Sequence, residues 1–528
     1  MNQTQPNFLF IITDQHRADH LGCYGNDIVR TPHIDSLANA GCRWDRFYVA
    51  NPICMPNRAS IMTGRMSSLH GARHNGIPLS LEHTTFVELL KDAGYNTALI
   101  GKSHLQSFTG LPATQRFESK EGLHTPDKRL RDAIKNNRHG KEYDHELAPA
   151  WNRKLSERID GDFYGFEHFE VAADHADAAS GDYLLWAREQ EPQFDKLTGP
   201  QNALPGNGGS APQAWRTAVP EELYSTSWVA ERSAHYLRDR ADDDRPFFLQ
   251  MSFPDPHHPF TPPGKYWDMY DPQSIPVPAS LGKSNLPPIE SMRKAMESGT
   301  DPRDNQSPFA VTADEARVLT ALTYGSITMI DDAIGRVIKQ LHDSGLADNT
   351  IIIFTTDHGD YMGDHGLMLK LLLHYQGLIR VPFIWHDPIS QQNTIQPGAV
   401  DSALASSIDI SATVLARAGI QAFNGIQGRD LCSTEAPDAI IVEEDSQRLM
   451  TGFDRPQRIR TVVTNRFRMS LRQDEAWDEL YDLQNDPLEI CNQYDNAEFA
   501  DTRHQLTELM LRRMIELQDR SPLPAYRA

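Results

Sequence analysis

Two short apolar runs, far apart in the chain, most strongly constrain its fold. They are "NFLFIITD" (7–14) and "NTIIIFTTDHGD" (349–360), and both are rich in branched and aromatic residues. Such runs are typical of strands buried on both faces, as parallel strands are. Ligands of open α/β sheets bind beyond the carboxyl ends of the strands. We therefore predict that Asp14 and Asp357, which follow the two apolar runs, meet at one edge of a sheet.

Predicted helices alternate with these strands. One begins at Pro32 and ends before Gly41, because proline suits a first helical turn and glycine commonly follows the last one. A long helix begins at Thr312, which has the capping-box spacing to Glu315, and Gly345 closes it. Alternating strands and helices predict an α/β fold in which helices sandwich a mixed, mostly parallel sheet. An apolar stripe on the long helix predicts core packing, through Ile330, Ile334, Val337, Ile338 and Leu341.

Changes of composition divide the chain. Residues 1–425 are predicted to form the large α/β domain, and the polar segment 115–215 is predicted to be a loop-rich insertion near the mouth of the site. In the remainder, "RIRTVVTNRFRMSL" (458–471) predicts paired strands and "TRHQLTELMLRRMIELQ" (502–518) predicts a helix. Residues 426–528 are therefore predicted to be a smaller C-terminal α+β domain with a terminal helix and tail.

Charge and hydropathy exclude several classes of function. The 528-residue chain has a formal net charge of -21, which disfavours nucleic-acid binding but allows a cationic pocket for a small anionic substrate. No apolar run approaches the roughly 18 residues that span a bilayer, and no secretory leader is recognisable. We expect a cytoplasmic protein that does not bind membranes. An odd number of cysteines without a CxxC pair predicts neither disulfides nor a zinc ribbon; they are Cys23, Cys42, Cys54, Cys432 and Cys491.

Polar doublets follow both apolar runs and form a candidate metal site. Asp14-Gln15 and Asp357-His358 offer several oxygen donors and one nitrogen. This donor set suits one divalent cation, with Ca²⁺ the expected ion and Mn²⁺ the alternative.

The stretch "NPICMPNRASIMTGR" (51–65) provides a candidate nucleophile. Pro56 is tolerated in a first helical turn, so Cys54 would lie at a helix N-terminus, where backbone N–H groups and the dipole favour anions. Arg58, one turn later, offers a planar fork that suits a tetrahedral oxyanion. A thiolate could itself attack, but cysteine-dependent phosphatases separate Cys and Arg by five residues and this chain by three. The arrangement predicts sulfuryl or phosphoryl transfer.

The same stretch carries a family resemblance. Its C-x-P-x-R pattern resembles the signature that, in type I sulfatases, directs oxidation of the cysteine to formylglycine (3-oxoalanine). Further stretches resemble family landmarks in family order: "LGCYG" (21–25), "TPHIDSLANAG" (31–41), "ASIMTGR" (59–65), "GYNTALIGKSH" (94–104), "PHHPF" (256–260), "TTDHGDYMGDHGL" (355–367), "IRVPFI" (379–384) and "LYDLQNDPLEICN" (480–492). The resemblance implies the fold of the alkaline phosphatase superfamily, with residues 1–425 as the catalytic domain.

The resemblance implies a covalent mechanism. Cys54 would be converted by a formylglycine-generating maturation enzyme, and the aldehyde would be hydrated to a geminal diol. One hydroxyl attacks sulfur and expels the alcohol, giving a covalent sulfo-enzyme, and the second loses its proton so that sulfate is released. Asp14, Gln15, Asp357 and His358, together with residue 54, match the family's metal positions.

Five further positions match residues that surround the sulfate group in the family. Arg58 would orient the modified side chain and the metal-side carboxylates. Lys102 and His104 match residues that bind the sulfate and the diol. Lys370 matches a lysine that reaches a sulfate oxygen and the ester oxygen, and Asn75 matches an asparagine that contacts the bound anion.

Some positions point to different branches of the family. His257 matches the general acid that protonates the leaving alcohol, with His258 as the neighbouring alternative. Gln15 and His358 resemble choline sulfatases and phosphonate monoester hydrolases, whereas "GKSH" (101–104) resembles arylsulfatases. Asn57 stands where a serine often follows the signature proline.

These features predict an enzyme that hydrolyses organic sulfate monoesters, aryl sulfates in particular. The alternative is a phosphonate or phosphate ester hydrolase with promiscuous sulfatase activity, since both substrates present tetrahedral oxyanions. A noncatalytic anion-binding relative is the third hypothesis. We also expect a homo-oligomer, either a dimer or a tetramer.

Overall fold

The computed structural model describes residues 5–111, 117–135, 138, 140–152, 163–206, 211–389, 396–432 and 435–526. Parts of the predicted insertion 115–215 and the end of the predicted tail lie outside the described residues. Among the residues that are described, no helix combines the length and the apolar composition needed to cross a bilayer.

The described chain forms strands that are numbered in chain order. They are β1 (Asn7–Thr13), β2 (Cys42–Trp44), β3 (Phe47–Tyr48), β4 (Asn96–Gly101), β5 (His168–Ala173), β6 (Ser180–Gly181), β7 (Phe247–Ser252), β8 (Phe309–Ala310), β9 (Thr350–Thr356), β10 (Leu367–Met368), β11 (Phe383–His386), β12 (Ala399–Asp401), β13 (Ala405–Ser406), β14 (Ile440–Asp445), β15 (Arg458–Val463), β16 (Phe467–Arg472) and β17 (Glu479–Asp482).

The α-helices are numbered in the same way. They are α1 (Pro32–Ala40), α2 (Cys54–Thr63), α3 (Ser67–His70), α4 (Phe86–Asp92), α5 (Ala148–Asn152), α6 (Asp182–Gln190), α7 (Ser225–Asp239), α8 (Pro287–Ser298), α9 (Ala313–Asp343), α10 (Gln376–Ile379), α11 (Asp409–Arg417) and α12 (Ala500–Glu516). The two helices predicted from capping signals are confirmed as α1 and α9, and in α9 both arms of the Thr312–Glu315 capping box are formed.

A nine-stranded sheet organises the large domain, in the order β12-β2-β11-β9-β1-β7-β4-β5-β6. Its five central strands, from β9 to β5, run parallel, and β11 and β6 are antiparallel to their neighbours. The apolar runs that were predicted to be neighbouring strands are β1 and β9, which pair in parallel from Asn7↔Thr350 to Thr13↔Thr356. The carboxyl ends of five strands therefore lie along one edge.

Side chains of β1 alternate between two core layers. Phe8 and Phe10 pack on the side of α2, α4 and α11, whereas Leu9 and Ile11 pack on the side of α1, α7 and α9. Because successive strand residues point to opposite faces, an uninterrupted apolar strand needs a helical layer on each side. The predicted α/β sandwich is confirmed.

The segment 115–215 contributes to this sheet. Although it was read as loop-rich, its described part includes strands β5 and β6 at the sheet edge and helix α6. The hydrogen bonds of β5 to β4 extend the parallel ladder, so the segment contributes strands as well as loops.

A four-stranded antiparallel sheet, in the order β14-β15-β16-β17, forms the C-terminal α+β part. Ile441, Val462 and Met469 on this small sheet pack against Leu506 and Met510 of α12. The terminal helix therefore covers the sheet of its own domain. The predicted boundary at residue 425 lies between α11 and β14.

Candidate active site

Each of the five central parallel strands delivers a functional side chain to the same edge. Asp357 follows β9, Asp14 follows β1 and Lys102 follows β4, while His257 lies in the loop after β7 and His175 in the loop after β5. This arrangement follows the rule for open α/β sheets, in which ligands bind beyond the carboxyl ends of the strands. Four of these five positions were predicted from the sequence, and His175 was not.

Cys54 is the first residue of α2 and is buried at the centre of this edge. Its Sγ lies 3.7 Å from Asp14 Oδ1, 3.1 Å from His358 Nε2 and 2.8 Å from Lys370 Nζ. The predicted position at a helix N-terminus is confirmed. Every residue of α2 is buried, so the helix holds this side chain within the body of the protein.

Arg58, one turn along α2, joins the two strand-end aspartates. Its Nε donates to Asp357 Oδ2 at 2.7 Å and its Nη2 lies 3.4 Å from Asp14 Oδ2. Its Nη1 also donates to the carbonyl oxygen of Lys102 at 2.9 Å and to Ser252 Oγ at 3.0 Å. One buried guanidinium therefore fixes the ends of β1, β4, β7 and β9 relative to α2. This geometry agrees with the predicted orienting role.

A set of four side chains has the geometry to hold a cation. Ligand atoms of Asp14, Cys54, Asp357 and His358 all lie within 4.8 Å of one another, and all four residues are buried. Gln15 adds a fifth donor, because its Oε1 is buried and has no hydrogen-bond partner among the described residues. Oxygen-rich donor sets with one imidazole suit divalent metals. Four of the five predicted metal-site residues are therefore brought together, Gln15 follows Asp14 directly, and the chemistry of these donors fits such an ion.

Gln15 is fixed by contacts on the side of its amide nitrogen. Its Nε2 donates to Asp360 Oδ2 at 2.5 Å and lies 3.3 Å from His258 Nδ1, while its backbone N–H donates to Asp357 Oδ1 at 3.2 Å. The remaining amide oxygen is thereby left free to act as a ligand. Burial raises the pKa of Asp360 to about 6. Asp360 was not singled out from the sequence, although it lies in the "TTDHGD" stretch.

Lys102 and His104 follow β4 at the same edge of the sheet. Gly101 has a φ of 109°, and a Cβ there would clash with the carbonyl oxygen of Ser252, so the end of β4 requires glycine immediately before Lys102. The Lys102 ammonium forms a buried ion pair with Asp14. The His104 ring stacks on a phenylalanine, and its Nδ1 is buried without a partner among the described residues. Burial, and after it the charge of Lys102, lowers the pKa of His104 well below its usual range.

His175 lies beside Lys102. Its Nε2 lies 2.5 Å from Lys102 Nζ, its Nδ1 lies 3.0 Å from Asp174 Oδ1, and its ring stacks on that of His257 at a centroid distance of 3.5 Å. Since a lysine ammonium can only donate, Nε2 accepts and Nδ1 carries the proton toward Asp174. No local pattern in the sequence singles out this residue, because it lies in the polar segment that is predicted to be loop-rich.

Lys370 contacts Cys54, and His257 contacts Lys370. Lys370 Nζ lies 2.9 Å from His257 Nε2 and 2.9 Å from His358 Nε2. Burial alone would lower the pKa of Lys370, but the charges of Cys54 and Asp14 outweigh it and raise the pKa. Burial, His175 and Lys370 lower the pKa of His257 well below its usual range. The amine and the imidazole therefore converge within reach of one small anion.

The structure distinguishes the two neighbouring histidines. His257 lies beside Lys370, whereas His258 Nδ1 faces Gln15 and its Nε2 is buried without a partner among the described residues. This placement favours His257 for contact with the leaving group. Asp255, two residues earlier, accepts from Thr226 Oγ1 at 2.8 Å, and burial raises its pKa to about 6.

Two asparagines support α2. Asn75 Oδ1 accepts from the backbone N–H of Met55 at 3.1 Å, so it caps the helix end that carries Cys54. Asn57 Nδ2 donates to the carbonyl oxygen of Asp357 at 2.6 Å, and its Oδ1 accepts from Ser407 Oγ at 2.6 Å. Asn57 therefore links the helix to the end of β9.

Positive charge surrounds Asp14. Burial would raise the pKa of its carboxyl, but Lys102 and Lys370 hold the pKa well below its usual range. Three buried cationic side chains, Arg58, Lys102 and Lys370, therefore lie together within a chain of net charge -21.

Comparison with known proteins identifies the family. Residues 6–420 match the sequence model of the Sulfatase family, and residues 363–516 match the one described as N-sulphoglucosamine sulphohydrolase, C-terminal. The chain is 29% identical to an arylsulfatase of Clostridium perfringens, over 97% of this chain and 94% of that protein. It is 26% identical to a choline-sulfatase of Rhizobium meliloti, over 80% of this chain and 69% of that protein.

The fold has a similar counterpart among solved structures. The crystal structure of the phosphonate monoester hydrolase of Agrobacterium radiobacter superposes with a TM-score of 0.75 at 23% sequence identity, covering 98% of this chain and 97% of that one. The molecule thus has the alkaline phosphatase-like fold. Because the family match spans most of its length, the chain belongs to the Sulfatase family. The arylsulfatase and the choline-sulfatase to which it is similar are sulfuric ester hydrolases. The predicted family resemblance is confirmed.

Proposed function

We propose that this protein hydrolyses organic sulfate monoesters, with aryl sulfates as the expected class, to an alcohol or phenol and sulfate. One observation carries the proposal: the Sγ of Cys54, at the start of α2, lies within 3.7 Å of Asp14, His358 and Lys370. A nucleophile position, a candidate cation site and an ammonium therefore share one buried point. Together they can polarise and bind a tetrahedral monoanion.

The proposed nucleophile derives from Cys54. The C-x-P-x-R sequence supports its conversion to formylglycine by a maturation enzyme, which is the one protein partner that we propose besides further copies of this chain. A hydrated aldehyde supplies one hydroxyl for attack and a second whose deprotonation releases sulfate. Asn57 in place of serine leaves the Cys-Pro-Arg core of the sequence intact.

We propose that Asp14, Gln15, Asp357 and His358 hold one divalent metal next to residue 54. The orphaned Oε1 of Gln15 and the clustering of the other donors support this assignment. Calcium is the expected ion, because most donors are oxygen, and manganese is the alternative because His358 offers nitrogen. When bound, such an ion supplies Lewis acidity at the nucleophile and the sulfate oxygens.

The chain's own side chains account for binding and for proton transfer. Lys370 contacts Cys54 and Lys102 contacts the neighbouring Asp14, and each would bind a sulfate oxygen. His257 Nε2 lies 2.9 Å from Lys370 Nζ and can accept a proton from that ammonium. We propose that His257 passes this proton to the oxygen of the departing alcohol. From the family resemblance, His104 would contact the diol and Asn75 the anion.

A phosphonate or phosphate ester hydrolase is the second candidate. Gln15 and His358 favour it, because they resemble the corresponding residues of phosphonate monoester hydrolases. The cationic pocket is compatible with it, because such a pocket does not distinguish sulfate from other tetrahedral monoanions. Steady-state kinetics with 4-nitrophenyl sulfate and an aryl phosphonate monoester compare the two directly. We expect the higher kcat/KM for the sulfate; a higher value for the phosphonate would transfer the primary function to the second candidate.

That comparison needs a matched inactive protein. A Cys54→Ala variant expressed with the maturation enzyme should lose turnover of both esters, because alanine cannot be converted to the nucleophile. Turnover that survives in this variant would refute the role of residue 54. A homo-oligomer and a cytoplasmic location stay predictions from the sequence.

A further inference from the structure

The loop that carries Lys370 has an unusual backbone. Leu369, Leu371 and Leu372 have φ values of 69°, 91° and 73°, in the left-handed region that glycine normally occupies. A residue other than glycine is strained in this region and persists there only when its surroundings fix it. The loop is therefore not held by its own conformational preference.

The large domain fixes the loop on one side. Asp360 Oδ1 accepts from the backbone N–H of Leu369 at 3.0 Å. The hydroxyl of Tyr361 accepts from the N–H of Leu373 at 3.1 Å and lies 2.9 Å from the carbonyl oxygen of the same residue. These contacts hold the two ends of the loop but leave the peptide groups of Leu372 to other partners.

The small C-terminal sheet supplies those partners. Glu444, on β14, accepts from the backbone N–H of Leu372 at 2.9 Å. Arg472, on β16, donates from Nη2 to the carbonyl oxygen of Leu372 at 2.9 Å. A carboxylate and a guanidinium from the second domain thus hold both polar groups of one strained residue, two positions from Lys370.

These contacts are buried and specific. Glu444 is completely buried, and its Oε2 also lies 3.2 Å from His374 Nε2, whose Nδ1 lies 2.7 Å from Thr461 Oγ1 on β15. Arg472 is oriented by a second carboxylate, Glu479 Oε1, at 2.5 Å. A buried carboxylate is costly unless hydrogen bonds compensate it, so its placement against a loop N–H indicates more than packing. The C-terminal match to residues 363–516 includes both the loop and the small sheet.

We propose that Glu444 and Arg472 are positioning residues, which act through the backbone of Leu372 to hold Lys370 against Cys54. The proposal rests on the function proposed above, because Lys370 is taken to bind the substrate. It makes the small sheet a working part of the active site: without it, the loop would relax out of the left-handed region and withdraw the ammonium. The residues of the sheet themselves do not touch the substrate.

A double-mutant cycle with Glu444→Gln and Lys370→Met tests the proposal. Gln keeps the shape of the side chain and one acceptor oxygen but removes the charge and the second oxygen. We expect Glu444→Gln to lower kcat/KM for the best ester substrate 10- to 100-fold, chiefly through kcat. If Glu444 acts through Lys370, adding Glu444→Gln to Lys370→Met should change the rate less than threefold. Effects that multiply in the double variant would overturn the proposal.

Matched variants separate positioning from general damage. Glu443 neighbours Glu444 on β14 but accepts from Ser67 and Ser68 instead of the loop, so Glu443→Gln should change kcat/KM less than threefold. Arg472→Lys perturbs the same peptide from its carbonyl side and should behave like Glu444→Gln. It also serves if Glu444→Gln does not accumulate as folded protein. A normal rate in Arg472→Lys would contradict the proposed clamp, by which we mean the hold of Glu444 and Arg472 on the backbone of Leu372.

Hydrogen exchange gives a readout that needs no turnover. In the Glu444→Gln protein, amide exchange in the peptide covering Leu369 to Leu373 should accelerate at least tenfold relative to wild type, while exchange in α9 stays unchanged. Unchanged exchange in the loop would refute the clamp even if activity fell. Conversely, wild type and variant could both fail to hydrolyse a sulfate ester while exchange in the loop is still faster in the variant. That result would retain the positioning role of Glu444 and reject the proposed function.

Discussion

Replacing Arg58 with methionine isolates the charge network at the centre of the site. Methionine keeps much of the side-chain volume but removes the ion pairs to Asp357 and Asp14 and two further hydrogen bonds. Asp14 keeps its ion pair with Lys102. Asp357 keeps the N–H of Gln15 on Oδ1, but its Oδ2 loses the guanidinium. The cost therefore concentrates on one buried carboxylate oxygen.

The size of that cost follows from burial. Removing one partner from a buried ion pair typically destabilises a protein by about 3–5 kcal/mol, because the remaining charge is left uncompensated. We expect Arg58→Met to lower the free energy of unfolding by that amount in the presence of a chelator. In calcium the loss should be smaller, since a cation held by Asp14 and Asp357 would offset part of the exposed charge.

Urea-induced unfolding, followed by circular dichroism with chelator and with calcium, measures both effects. The control is Arg512→Met, which breaks an exposed ion pair with Glu508 on α12 and should leave the free energy of unfolding nearly unchanged. A loss below about 1 kcal/mol for Arg58→Met in chelator, or an equal loss in calcium, would refute the reasoning that Arg58 compensates metal-side carboxylates.

Three shorter predictions address other groups. His257→Gln should lower kcat about 10²- to 10⁴-fold for esters with poor leaving groups and less for 4-nitrophenyl sulfate, whereas His258→Gln should show no dependence on the leaving group; the reverse pattern would exchange their roles. His175→Phe keeps the stack on His257 but removes the acceptor for Lys102, so kcat/KM should fall about 10- to 100-fold with little change in thermal stability; an unchanged rate would contradict the contact. Asp331 binds the N–H groups of His33 and Ile34 at the start of α1, and burial raises its pKa to about 7. Its folded pKa exceeds the unfolded value, so stability should decline as pH rises from about 4 to 7; Asp331→Asn should reduce that decline in urea unfolding measured across this range, and an unreduced decline would exclude Asp331 as its source.

The residues predicted from the sequence are those whose local pattern implies a place in the fold. Asp14 and Asp357 follow strands whose apolar composition fixes them as buried neighbours, and Cys54 lies at a helix start that Pro56 marks. Lys102, His257 and Lys370 were assigned through the family resemblance, and the structure brings all three to Cys54 or its neighbours.

The residues that were missed depend on contacts that no local pattern encodes. His175 follows β5, which lies within a polar segment, so the weak apolar signal of that segment concealed a fifth parallel strand. Glu444 binds a loop 72 positions earlier in the chain, and its neighbour Glu443 has the same residue type with different partners. Only the pairing of the small sheet with the Lys370 loop distinguishes the two glutamates. The residue types in the sequence therefore predict the pocket but not the residues that hold its loops in place.

Mass spectrometry of residue 54 tests the central claim most directly. The protein should be expressed with and without a formylglycine-generating enzyme, and the tryptic peptide of residues 47–58 should be analysed beside the same peptide from Cys54→Ala. We predict an aldehyde at residue 54 after co-expression, with the rate of sulfate ester hydrolysis proportional to the converted fraction. An intact thiol in a protein preparation that hydrolyses the ester at full rate would contradict the account.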